Sequence, residues 1–192
     1  MIELVVRRLR SVLRAYLPTE IDRIQSYWED NNIADDLAEF TDEIIVPHPR
    51  DDAGGCSYHI GIPQKISDLP ALCIVGENID FDRKINVTKE VFQSEVQNLL
   101  IRFYFRTSLS VLPHILEMGL MRFVDATINT VRKYRRLKKP SDGTDPITVS
   151  IGTGNIFYYP RISMRKAFYK AADLNLVAKV TDSLRSRVFY GD

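Results

Sequence analysis

The sequence predicts an α+β fold in which an antiparallel or mixed sheet packs against one long helix and an N-terminal helix. Two observations carry this. "NLLIRFYFRTS", residues 98–108, alternates Leu99, Ile101, Phe103 and Phe105 with Leu100, Arg102, Tyr104 and Arg106, the period of two that marks a strand. From residue 110 the apolar residues instead recur every three or four positions, through Leu112, Ile115, Leu116, Leu120, Phe123, Val124, Ile128 and Val131. The order is helices, strands, a long helix and strands again, which is not the strict alternation of a parallel α/β sheet.

Taken in chain order, residues 2–16 carry Val5, Val6, Leu9, Val12, Leu13 and Tyr16 on one helical stripe, with arginines at 7, 8, 10 and 14 on the other side. Pro18 then reads as the opening of a second helix bearing Ile21, Ile24 and Trp28, so a helical pair is expected over about 2–32. "IADDLAEFTDEIIV" reads as a third helical piece leading into a strand. Residues 46–68, "VPHPRDDAGGCSYHIGIPQKISD", lose all periodicity and read as a long ordered loop. "LPALCIVGENIDFD" reads as a buried strand and a turn, and "KEVFQSEVQNLLIRFYFRTS" as a long strand or strand pair. The long helix is expected over about 110–139, stopped by Pro140, and strands follow in "PITVSIG", "NIFYYP" and "RKAFYKAADLNLVAKVTDS".

A chain of 192 residues with 45% hydrophobic and 27% charged residues fits one domain that folds in water, without a membrane-spanning segment. A net charge of +1 argues against a protein that coats nucleic acid over its whole surface, so any electrostatic function is local. Cys56 and Cys73 form no disulfide framework, and the arginines threaded through the first helix argue against a cleaved leader.

Candidate chemistry is sparse, and no catalytic residue, metal site or cofactor is expected. His48, Cys56 and His59 share the long loop, but only the C-x-x-H spacing suits zinc, which wants four ligands. Asp80, Asp82 and Lys84 echo a metal-dependent nuclease, yet in a turn they do not converge on a metal-bound water. "SIGTGN" lacks the Lys and the helix of a phosphate loop and reads as a hairpin or bulge, and no nucleophile elbow occurs.

Two surfaces remain. Arg132, Lys133, Arg135, Arg136, Lys138 and Lys139 place six cations within eight residues, more than helix capping requires, and mark a phosphate-contact candidate. Arg102, Tyr104 and Arg106 line the strand face turned from the helix, and Tyr and Arg are enriched at interface centres.

The helix ending "AYLP", the strands "LPALCIVG" and "LLIRFYFRTS", the long helix, then "PITVSIG" and a final strand pair up to "LNLVAKVTDS" together resemble the tail terminator and neck completion proteins of long-tailed bacteriophages. The resemblance runs over about residues 2–182 and lies in element order and length. It implies a non-enzymatic virion subunit, assembled in the host cytoplasm, that forms a hexameric ring capping the tail tube and joining it to the head connector. Tail tube, sheath and neck proteins are the implied partners, with DNA passing through the lumen and no membrane. Arg102, Tyr104 and Arg106 would then serve subunit or tube contact, and the basic run would line the channel or tube junction. The 46–68 segment departs from the plainest members of that family and would contact a neighbour. A DNA-binding or metal-dependent DNA-processing module using the basic run is the alternative.

Overall fold

The apolar stripe that opens the chain does not stop at Pro18. In the computed structural model, residues 2–30, 46, 48–52, 55–61, 70–82, 92–107, 113–137, 147–152, 156–159, 162–164 and 167–183 are described. Its first element is one helix, α1 (Ile2–Asp30), with Pro18 inside it. Proline removes the bond to the carbonyl four residues back and costs a helix interior about 3 kcal/mol. Val5, Leu9, Leu13 and Leu17 before it, and Ile21 and Ile24 soon after, are all buried in one cluster, so continuous burial outweighs the local break. The expected helical pair is corrected to a single helix.

Three short strands follow, β1 (Asp51–Asp52), β2 (Gly55–Cys56) and β3 (Tyr58–Ile60), where a loop without structure of its own was expected. The long elements are β4 (Ala71–Asp82), β5 (Phe92–Thr107) and helix α2 (Pro113–Lys133). Then come β6 (Arg136–Leu137), β7 (Ile147–Ile151), β8 (Phe157–Tyr158), β9 (Ile162–Met164) and β10 (Ala167–Ser183). The strand order is β3-β4-β5-β10-β7-β6, mixed because β3 runs parallel to β4 while the other pairs are antiparallel. β9, β8 and β7 lie in succession along one edge of β10, opposite residues 167–169, 172–173 and 176–180. β1 and β2 form a separate two-stranded ladder.

Both helices cover the same sheet face, which makes the fold α+β. Leu72, Ile74, Leu99, Ile101, Phe103, Val149, Leu174 and Leu176 from the strands join Leu9, Leu13, Leu17, Leu120, Phe123 and Val124 from the helices in one core. Phe103 meets Phe123 edge to face, ring centroids 5.2 Å apart. α2 also runs against α1, so it is buried on several sides, and its buried Thr127 and Thr130 hydroxyls donate back to the Phe123 and Ala126 carbonyls. Lys170 of β10 and Glu117 of α2 form an ion pair between sheet and helix.

α2 is shorter than the expected 110–139, and α1 is the longer helix. After Lys133 the chain leaves the helix at Tyr134, whose ring stacks on Tyr16 at 3.8 Å. The Arg135 carbonyl then accepts from Val149, and Leu137 is buried opposite Ile147, so sheet pairing takes over before Pro140. β4 likewise runs on through the residues around Asp80 and Asp82 where a turn was expected, absorbing Glu77 as an irregularity between Gly76 and Asn78. Gly152 leaves β7 with its N–H on the Asn175 carbonyl, so close that an added Cβ would stand 3.2 Å from that oxygen. The helical piece expected over 33–45 lies outside the described residues.

Candidate functional site

Register alone assembles an unusual row across the sheet face turned from the helices. His59 lies opposite Cys73, Cys73 opposite Arg102, Arg102 opposite Asp173, and Asp173 opposite Phe157. One row along, Ala71, Tyr104 and Ala171 lie side by side.

The Arg102 guanidinium is engaged within the sheet. Its Nε donates to Asp173 Oδ1 at 2.6 Å and its Nη2 to Asp173 Oδ2 at 2.7 Å, a two-point pair between neighbouring strands. Nη2 also donates to the Tyr159 hydroxyl at 3.2 Å, and that hydroxyl donates to Asp173 Oδ2 at 2.5 Å, closing a three-residue ring. The guanidinium carbon sits 5.5 Å from the centre of the Tyr159 ring. Its hydrogen bonds to Asp173 hold Arg102 above its ordinary pKa, against the desolvation that lowers it. Tyr159 is raised too, first by its bond to Asp173. The Arg102 side chain is 26% exposed and that of Asp173 10%, so this charge is largely spent inside the fold.

Beside this pair the same face carries aromatic side chains, with the exposed Lys179 further along β10. Phe157 is 57% exposed and meets Tyr159 with ring centroids 4.7 Å apart. Tyr104 is half-buried, and Arg106 is placed by its backbone, opposite Tyr169. Cys73 is fully buried, and burial pushes its thiol up to about 12, the opposite of what a nucleophile requires.

The basic run divides. Arg132 and Lys133 occupy the last turn of α2, Arg135 follows the turn, and Arg136 stands in β6, so the cations do not share one helix end as expected. Lys138 and Lys139 lie outside the described residues. Lys133 Nζ donates to Glu20 Oε1 at 3.0 Å, and Arg23 Nε donates to Glu20 Oε2 at 2.8 Å. Burial raises the Glu20 pKa, but these two donors outweigh it and the net shift is downward. Arg132, Arg135 and Arg136 are exposed.

The 46–68 segment is held, as far as it is described, by α1. Arg14 pairs with Asp51 through two bonds of 2.9 and 2.7 Å, and Arg10 Nε donates to the Tyr58 carbonyl at 2.7 Å. Arg10 also reaches Cys56 Sγ at 3.4 Å, while His48 Nε2 lies 2.9 Å from Asp22. His48, Cys56 and His59 therefore have separate surroundings, and among the described residues no three His, Cys, Asp or Glu side chains are grouped to hold a metal. Asp80 and Asp82 stand within β4, not in the expected turn, and Lys84 lies outside the described residues.

Sequence reasoning missed Asp173, Tyr159 and Glu20. Signals for two of them were present: Asp173 is an acid in mid-strand between Ala172 and Leu174, and Glu20 falls on the α1 stripe between Leu17 and Ile24. Their partners are 71 and 113 positions away, which no local pattern specifies. Comparison with models of known protein families and with curated proteins gives no match for this chain.

Proposed function

We propose that the chain is a structural assembly subunit, a tail terminator or neck component of a long-tailed phage, that forms a ring capping the tail tube and joining it to the head connector. The observation that carries this reading is the sheet face turned from α1 and α2. It presents Phe157, Tyr159 and Tyr104 beside an Arg102 whose charge Asp173 cancels, the composition of an interface centre rather than of a wet surface.

Ring closure needs two different patches that mate around the axis. The sheet is long enough to offer both: β5 and β10, of 16 and 17 residues, extend over roughly 55 Å, whereas the 21 residues of α2 span about 32 Å. On this reading the protein works by shape and contact.

Light scattering behind a sizing column, over a range of concentration and salt, tests the reading. A mass six times that of the chain is expected, falling to one chain in Phe157→Glu with an unchanged circular dichroism spectrum. One-chain mass at every concentration overturns ring formation by the chain alone, and an undiminished ring in the variant removes this face from the contact.

A further inference from the structure

The end of the molecule where α2 passes into β6 carries more positive charge than the fold consumes. Arg23, Arg132, Lys133, Arg135 and Arg136 are all exposed there, with Arg23 and Lys133 side chains 60% and 58% accessible. Among the described residues, the carboxylates that act on them are Glu20, buried beneath Lys133 and Arg23, and Asp125, which attracts Arg132. Among the described residues, five cations against two carboxylates leave a surplus of three, on a chain whose net charge is only +1.

The arrangement is ordered rather than a loose charged tail. Glu20 fixes Lys133 and Arg23 while both side chains stay more than half exposed, the Tyr16–Tyr134 stack fixes the turn, and the Arg135 carbonyl is tied to β7. The carbonyl end of a helix repels anions, so Arg135 and Arg136, set beyond it, bear the main attraction.

We propose that this end binds the phosphate backbone of duplex DNA without reading sequence. Duplex DNA carries about one negative charge per 1.7 Å of axis, which suits several cations clustered on one short segment. A lipid surface fits less well, because membrane binding needs apolar anchors beside the cations. The exposed large hydrophobics among the described residues are Leu4, Tyr16, Tyr27, Ile60, Met121 and Phe157; those beside the patch are Tyr16, stacked on Tyr134, and Tyr27, one turn of α1 from Arg23, and neither is an aliphatic anchor. This inference stands apart from ring assembly: a monomer that binds DNA keeps it, and a ring without DNA affinity loses it.

The test is a titration of the full chain with a short labelled duplex of arbitrary sequence at several salt concentrations. A plot of log K against log salt is expected to slope at about −3, the release expected for roughly three neutralised phosphates. The double variant Arg135→Ala, Arg136→Ala should flatten that slope by about two and weaken low-salt binding at least tenfold, by the same counting. Arg7→Ala, whose side chain pairs with Glu3, should leave both unchanged. Should the alanine pair lower the melting temperature, the pair Arg135→Gln, Arg136→Gln, which keeps the apolar stems, is titrated in its place. Absence of low-salt binding, wild-type affinity in the double variant, or equal affinity for polyglutamate or phosphatidylserine vesicles overturns the proposal.

Discussion

Arg102 and Asp173, 71 positions apart in the chain, meet in a two-point ion pair across the centre of the sheet. Because the pair is mostly shielded and Tyr159 completes it, its two members are not interchangeable with any exposed pair on this molecule. Removing one partner strands the other in a poorly solvated place.

Asp173→Ala should therefore destabilise the protein by about 2 to 4 kcal/mol, slightly below the range for a fully buried pair because Arg102 retains some solvent. Urea denaturation of the two single variants, Arg102→Met and Asp173→Ala, and of the double variant measures the coupling. A coupling of at least about 1.5 kcal/mol is expected, and additive effects would show that the pair contributes no more than an exposed one.

Glu20 makes the stability depend on acid. Its folded pKa lies below its ordinary value, so the stabilisation is present above the unfolded carboxylate pKa, about 4.3, and is lost as pH falls through the lower folded value. Glu20→Gln should lose roughly 1 to 2 kcal/mol at neutral pH. The difference from the wild type should vanish at strongly acidic pH, where Glu20 is protonated and pairs with neither Lys133 nor Arg23. Lys133 shifts upward beside Glu20, so its share is lost only as pH rises past the ordinary lysine range. Chemical denaturation across this pH range checks the signs, and parallel curves for the two proteins would refute the linkage.

The two cysteines should react on different clocks. Cys56 is half-buried, whereas Cys73 is fully buried with its thiol pushed up to about 12, leaving about one in ten thousand ionised at pH 8. A chromogenic disulfide reagent should modify one thiol in the native protein and the second only as it unfolds. Cys56→Ser should remove the native phase, and two equally fast phases would contradict the burial of Cys73.

Much of the architecture was legible because the signals are local. The alternation of Leu99, Ile101 and Phe103 placed them correctly on the helix-covered face, and the three-to-four period of Leu120, Phe123 and Val124 placed α2. Misreadings arose where tertiary contacts outweighed a local signal. Pro18 is helix punctuation in isolation but lies amid continuous burial, and Arg136 and Leu137 favour helix locally but pair with β7.

The sequence by itself determined which residues become core and which face of each element they share, because periodicity depends only on neighbours along the chain. Tertiary structure alone decided what the polar residues do. Arg102, read as an outward interface group, spends its charge on Asp173, and Lys133, read as a phosphate contact, shares its charge with Glu20. The physical reason is that apolar burial is nondirectional and written in spacing, while an ion pair needs two particular atoms within about 3 Å, a proximity that only the closed fold creates.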